Sequence, residues 1–150
     1  MEAGRLYREG TVRGASPVAL VARLYEQMIE DLRRAAKALE QNQIELRTSQ
    51  INHAIVVLGY LQSQLNLAAG GKVAEQLGIF YDALRSNLTQ AQLQQSEAIL
   101  HQQIKDLLTV REAWIEVEQA EKASALARAT RIEPNPAPSE PDVARVDWKG

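Results

Sequence analysis

The chain has 150 residues, 17 Lys and Arg against 19 Asp and Glu, and a net charge of −2. That length favours one domain, and a near-balanced charge with no long basic block argues against nucleic acid or an anionic membrane as partner. The absence of cysteine removes disulfides and thiol chemistry and fits the cytoplasm.

No apolar run approaches the ~20 residues needed to span a bilayer. Residues 1–15 lack an apolar core flanked by positive charge, so no secretory signal is expected. They carry three Gly and only Leu6, Tyr7 and Val12 as sizeable apolar anchors. This is an extended N-terminal arm, read either as a disordered terminus or as a strip lying over apolar surface.

Residues 16–39 organise the chain. Ser16 is a helix cap, and Pro17 occupies the first helical position, where its missing N–H costs nothing. Val21, Leu24, Met28, Leu32, Ala35 and Leu39 recur at steps of three and four. Val18, Tyr25, Ile29 and Ala36 widen that stripe to about half the circumference, enough for more than one neighbour. The helix reads as the central wall of an all-helical bundle.

Gln41, Asn42 and Gln43 break the rhythm and predict a turn. A second helix is expected over 44–67, with Ile51, Ala54, Ile55, Leu58, Leu61 and Leu65 inward. Val56 and Val57 have no obvious place in that stripe. Gly59 costs about 1 kcal/mol against Ala in mid-helix; it either permits close packing or is a tolerated defect. The pair Gly70-Gly71 is expected to end helix 2. A third, shorter helix over 72–88 carries Val73, Leu77, Phe80, Tyr81, Leu84 and Leu88, and residues 89–92 predict a turn. A fourth helix from 92 buries Leu93, Leu100, Ile104, Leu107, Leu108, Trp114 and Ile115, interrupted by Arg111. From Glu116 the sequence is rich in Ala and charge, an exposed helical extension. Four of the five prolines fall at 134, 136, 138 and 141, so the end of the chain reads as a disordered tail in which Trp148 is a lone aromatic. Short turns favour antiparallel neighbours. The expectation is all-α: an antiparallel four-helix bundle over 16–131, with an N-terminal arm over 1–15 and a disordered Pro-rich tail over 132–150.

Catalytic chemistry finds little support. His53 and His101 are the only histidines, and no Glu-x-x-His supplies a bundle metal site. Glu97 and His101 lie four apart and read as a solvated pair. A histidine phosphotransfer bundle using His53 needs a Lys and a Gly three and four positions on, where Val56 and Val57 stand. No nucleophile triad converges. Gly70-Gly71-Lys72 at a helix start fits a cap better than an anion site. Neither enzyme, metal nor cofactor is expected. What remains is surface: Leu46, Val56, Val57, Tyr60, Leu67, Ile79, Phe80 and Ile99 fall partly outside the inner stripes. Exposed apolar grooves imply a partner, and an amphipathic helix suits a groove on a bundle. A homodimer acting as an adaptor would use the same residues.

Ala15-Ser16-Pro17, Leu20 and Leu24-Tyr25-Glu26 resemble the opening helix of the flagellin-specific secretion chaperones, the FliS family. Leu65-Asn66, then Gly70-Gly71-Lys72-Val73-Ala74, Leu77 and Phe80-Tyr81, resemble its second signature. Leu88 and Leu107-Leu108, leading to Arg111-Glu112-Ala113-Trp114, resemble its last helix. Order and spacing agree over about residues 5–116. Gln27 departs from the usual Gly, Asn66 from the usual Asp and Gln92 from the usual Asn.

The resemblance implies a non-enzymatic chaperone that binds the C-terminal, helix-forming segment of unassembled flagellin in the cytoplasm. It further implies that binding blocks premature polymerisation and that the complex is delivered to the flagellar type III export gate. Tyr7 matches the family's aromatic anchor and is expected to compete with flagellin. The expected client groove is Tyr7, Ile51, Ile55, Leu58, Val73, Leu77, Tyr81 and Leu84, the alternative for each being a place in the core. Tyr25 and Trp114 are assigned to packing.

Overall fold

The structure, a computed structural model, describes residues 16–132, the side chains of 67–69, 131 and 132 excepted. Tyr7, the arm and the Pro-rich tail lie outside the described residues. Four helices follow in order: α1 Pro17–Glu40, α2 Ile44–Ser63, α3 Leu67–Gln94 and α4 Glu97–Ile132. The chain divides into two units after Ile115.

In the first unit α1 is the central wall. Ser16 Oγ accepts from Ala19 N at 3.1 Å, and Leu24, Tyr25, Met28, Ile29, Leu32, Ala35 and Ala36 are all buried. Side-chain pairs fix the directions of the helices. Arg34 and Asp31 of α1 meet Gln50 and His53 of α2. Glu26 of α1 meets Arg111 of α4, and Glu40 of α1 stands beside Glu97 of α4. Arg47 and Gln62 of α2 meet Gln92 and Arg85 of α3. In every pair one number rises as the other falls, so these neighbours run antiparallel. Ile51, Leu58, Leu61, Leu84, Leu88, Leu100 and Leu107 close the core with α1.

Three boundaries differ from the sequence expectation. Helix α2 ends at Ser63 rather than 67. The glycine pair does not close it; Gly70 and Gly71 fall within α3, which bends at Gly71 (φ 60°, ψ −137°). Only glycine occupies that conformation without strain. Helix α3 also continues through 89–92 to Gln94, because buried Leu88 and Ala91 prolong its inner stripe. With 28 residues it is longer than α2, which has 20. Leu93 therefore belongs to α3 and is exposed, not buried in α4. Ser96 caps α4 by accepting from Ile99 N at 3.1 Å.

Two of the three bundle turns, after α1 and after α3, end a helix in the same way. Asn42 (φ 57°) and Gln95 (φ 50°) are left-handed. The following N–H groups reach back, Gln43 N to Ala38 O and Ser96 N to Ala91 O, satisfying carbonyls that the helix leaves open. Gly59 faces α3, where an added Cβ would stand 3.3 Å from Arg85 Nη2. That neighbour is the flexible end of an arginine, so Gly59 is a tolerated defect rather than a close-packing position.

In the second unit, α4 continues from Glu116 as a helix whose residues 119–130 are exposed. A Lys122–Glu118 ion pair at 3.3 Å spans one turn.

Candidate functional site

Two buried polar contacts hold the scaffold that presents the surface. Tyr25 Oη donates to Tyr81 Oη at 2.8 Å, and Trp114 meets the Tyr25 ring edge-on. Burial raises the Tyr81 pKa, with Tyr25 adding to the effect. Burial also raises Tyr25, against a lowering from Tyr81 and Trp114. Packing roles for Tyr25 and Trp114 follow directly.

The second contact centres on Asp31, 1% exposed. Its carboxylate accepts from Gln27 Nε2 at 3.0 Å and Arg34 Nη2 at 3.2 Å, and its Oδ2 stands 2.5 Å from His53 Nδ1. His53 is thus held by a buried carboxylate on α1. The ring is a tie between α1 and α2, with Val56 and Val57 in place of the cation and glycine that phosphotransfer needs. Among the described residues no cluster of His, Asp and Glu is arranged to hold a metal ion. No described helix is long and apolar enough to cross a membrane.

The expected groove residues separate into two sets. Ile51, Leu58, Tyr81 and Leu84 are core, each at most 2% exposed. For these four the structure shows the alternative place in the core, where the chain's own side chains cover them. Ile55 and Leu77 are half-buried against the core, and Val73 is 64% exposed. Tyr7 is not among the described residues.

Val73, Leu77 and Phe80 recur at steps of four and three, so they share a face of α3. Phe80 is half-buried and Ile79, beside it in sequence, is 67% exposed. On α2, Ile55 adjoins the exposed Val56. Sequence reasoning placed Val56, Ile79 and Phe80 outside the inner stripes but left them out of the groove. For Val56 and Ile79, departure from the helical period was the signal. Val57, grouped with them, is buried. The α3 face begins just after Gly71, where the bend restarts the helix.

Comparison with known proteins gives this surface a context. Residues 1–121 match the family described as Flagellar protein FliS. The flagellar secretion chaperone FliS of Salmonella typhimurium is 30% identical over 111 residues, 73% of this chain and 82% of the relative. FliSB of Pseudomonas aeruginosa is 29% identical over 106 residues, covering 71% and 84%. FliS of Vibrio cholerae is 26% identical over 109 residues, covering 73% and 80%. The chain belongs to the FliS family, whose role is that of a chaperone in flagellar secretion rather than a catalyst.

Proposed function

Starting from membership of the FliS family, we propose that this chain is a cytoplasmic export chaperone for flagellin. It binds the C-terminal, helix-forming segment of the unassembled subunit, keeps it from polymerising and presents it to the flagellar export gate. The observation that carries this reading is the apolar face Val73, Leu77 and Phe80 at the start of α3, where Val73 is exposed and Leu77 and Phe80 are half-buried against the core. An amphipathic helix covers such a face with its own apolar stripe. A segment that folds on binding pays an ordering cost, so its affinity must come from apolar burial.

The client surface in this account is Val73, Leu77, Phe80 and Ile79 on α3 with Ile55 and Val56 on α2. Ile51, Leu58, Tyr81 and Leu84 serve as the floor that holds those helices. Tyr7 competes with the client from the N-terminal arm, so deleting residues 1–12 changes client affinity. Filament growth tests the function. An equimolar amount of this chain should halt polymerisation of monomeric flagellin from seeds. Unaltered growth at several-fold excess overturns the proposal.

A further inference from the structure

A second exposed apolar surface lies at one end of the bundle. The last turn of α1, the first turns of α2 and α4 and the last turn of α3 meet there. Arg47 Nε donates to Gln92 Oε1 at 3.2 Å, joining α2 to α3. The carboxyl groups of Glu40 and Glu97 stand close enough to perturb one another, which sets the end of α1 beside the start of α4. Within a turn of these ties stand Ile44, 62% exposed, Leu93, 72% exposed, and Leu46, also exposed. The core stripes explain none of the three. Helical position sets them apart from Val73 and Leu77, which lie in the opposite part of α3, more than three turns from Leu93.

The charge around these residues has one dominant sign. Glu45 lies between Ile44 and Leu46 in sequence. Glu40 and Glu97 hold their carboxyls together at the surface, and Glu97 pushes the Glu40 pKa up, by hydrogen bonding first and then by like charge. His101 Nε2 lies 3.3 Å from Glu97 Oε2. Arg47 is buried against Gln92, while Lys37, in the last turn of α1, and His101 each lower the Glu40 pKa by less than Glu97 raises it. Two carboxyls forced to share a site are relieved when a cation arrives between them. Exposed aliphatic side chains beside an acidic rim match a helix with an apolar stripe and flanking Lys or Arg.

We propose that this end of the bundle, built on Ile44, Leu46 and Leu93 with Glu40, Glu45 and Glu97 at its rim, docks a basic amphipathic helix of a partner protein. The surface is separate from the client face, so client and partner bind together. A chaperone that hands over its cargo requires a contact that the cargo does not occupy.

The probe is a Leu/Lys amphipathic peptide of about five turns, with a Leu/Glu peptide of the same pattern as control. Each is titrated into the isotopically labelled full chain. The Leu/Lys peptide should shift the amides of residues 40–46, 93 and 97, and the Leu/Glu peptide should bind at least tenfold more weakly. I44S/L93S and, independently, E40Q/E97Q should each weaken the Leu/Lys peptide at least tenfold. Both should bind a flagellin C-terminal peptide as the parent does, or, if the parent binds none, keep its circular dichroism spectrum and urea midpoint. That separates failure here from failure of the chaperone reading. Shifts centred on Val73 and Leu77, equal binding of the two peptides, or unchanged affinity in E40Q/E97Q overturn the proposal. So does self-association of the parent that I44S/L93S abolishes, because the occupant would then be a second copy.

Discussion

Tyr25 Oη donates to Tyr81 Oη at 2.8 Å, tying α1 to α3 through two phenols that are both out of contact with solvent. A buried hydroxyl without a partner costs about 1–3 kcal/mol, so each ring depends on the other. Tyr25→Phe and Tyr81→Phe should each lower unfolding free energy by about 1–2 kcal/mol. The double variant should lose less than the sum, because no orphan remains. Urea unfolding of the three variants checks this, and strict additivity contradicts it.

The same pair predicts alkaline sensitivity. Burial raises the folded-state pKa of both phenols above the usual value, whereas an unfolded tyrosine loses its proton near ~10. Above that pH the unfolded chain sheds protons that the native state retains. The contribution is therefore complete below about pH 10 and lost as pH rises beyond it. The urea midpoint should fall between about pH 9 and 11, and Y25F/Y81F should fall by less. An equal loss in the double variant assigns the sensitivity to other groups.

Asp31 carries a different prediction. Its carboxylate receives Gln27, Arg34 and His53 while 1% exposed. Asp31→Asn keeps the shape but removes the charge and one acceptor. A loss of about 1–3 kcal/mol is expected; Arg34 is largely exposed and adds little to it. Thermal unfolding at neutral pH measures the loss, and an unchanged midpoint removes Asp31 from the account.

The glycines should separate by mechanism. At Gly71, φ 60° and ψ −137° exclude side chains, so Gly71→Ala should cost about 1–3 kcal/mol. At Gly70 an added Cβ collides with Ala74 Cβ, so Gly70→Ala should also destabilise. At Gly59 the neighbour is the end of a flexible arginine, 3.3 Å away, and Ala gains about 1 kcal/mol of helix propensity. Gly59→Ala should match or exceed the parent in urea. Loss at Gly59 with tolerance at Gly71 reverses the argument.

Much of the bundle was legible in the sequence because α1 carries its own start signal and a wide, regular stripe. Ser16, Pro17 and the run from Val21 to Leu39 allow little else. The end of α3 was not legible. Gln95 takes the left-handed position that usually marks itself as Gly or Asn, and the exposed Thr89 and Gln90 hide a helix that buried Ala91 carries on. The client surface was half legible for a related reason. Helical period identifies residues on the inner face, and Ile51, Leu58, Tyr81 and Leu84 keep that period because they are core. Of the proposed client surface, Val56 and Ile79 break that period, whereas Val73, Leu77 and Phe80 keep it and differ from the core only in exposure.

The most direct test of the account is a calorimetric titration of a flagellin C-terminal peptide into the full chain, repeated with Val73→Glu. The account predicts a 1:1 complex, helical circular dichroism beyond the sum of the parts, and at least tenfold weaker binding for the variant. No heat of binding to the parent, or equal affinity for parent and variant, would contradict it.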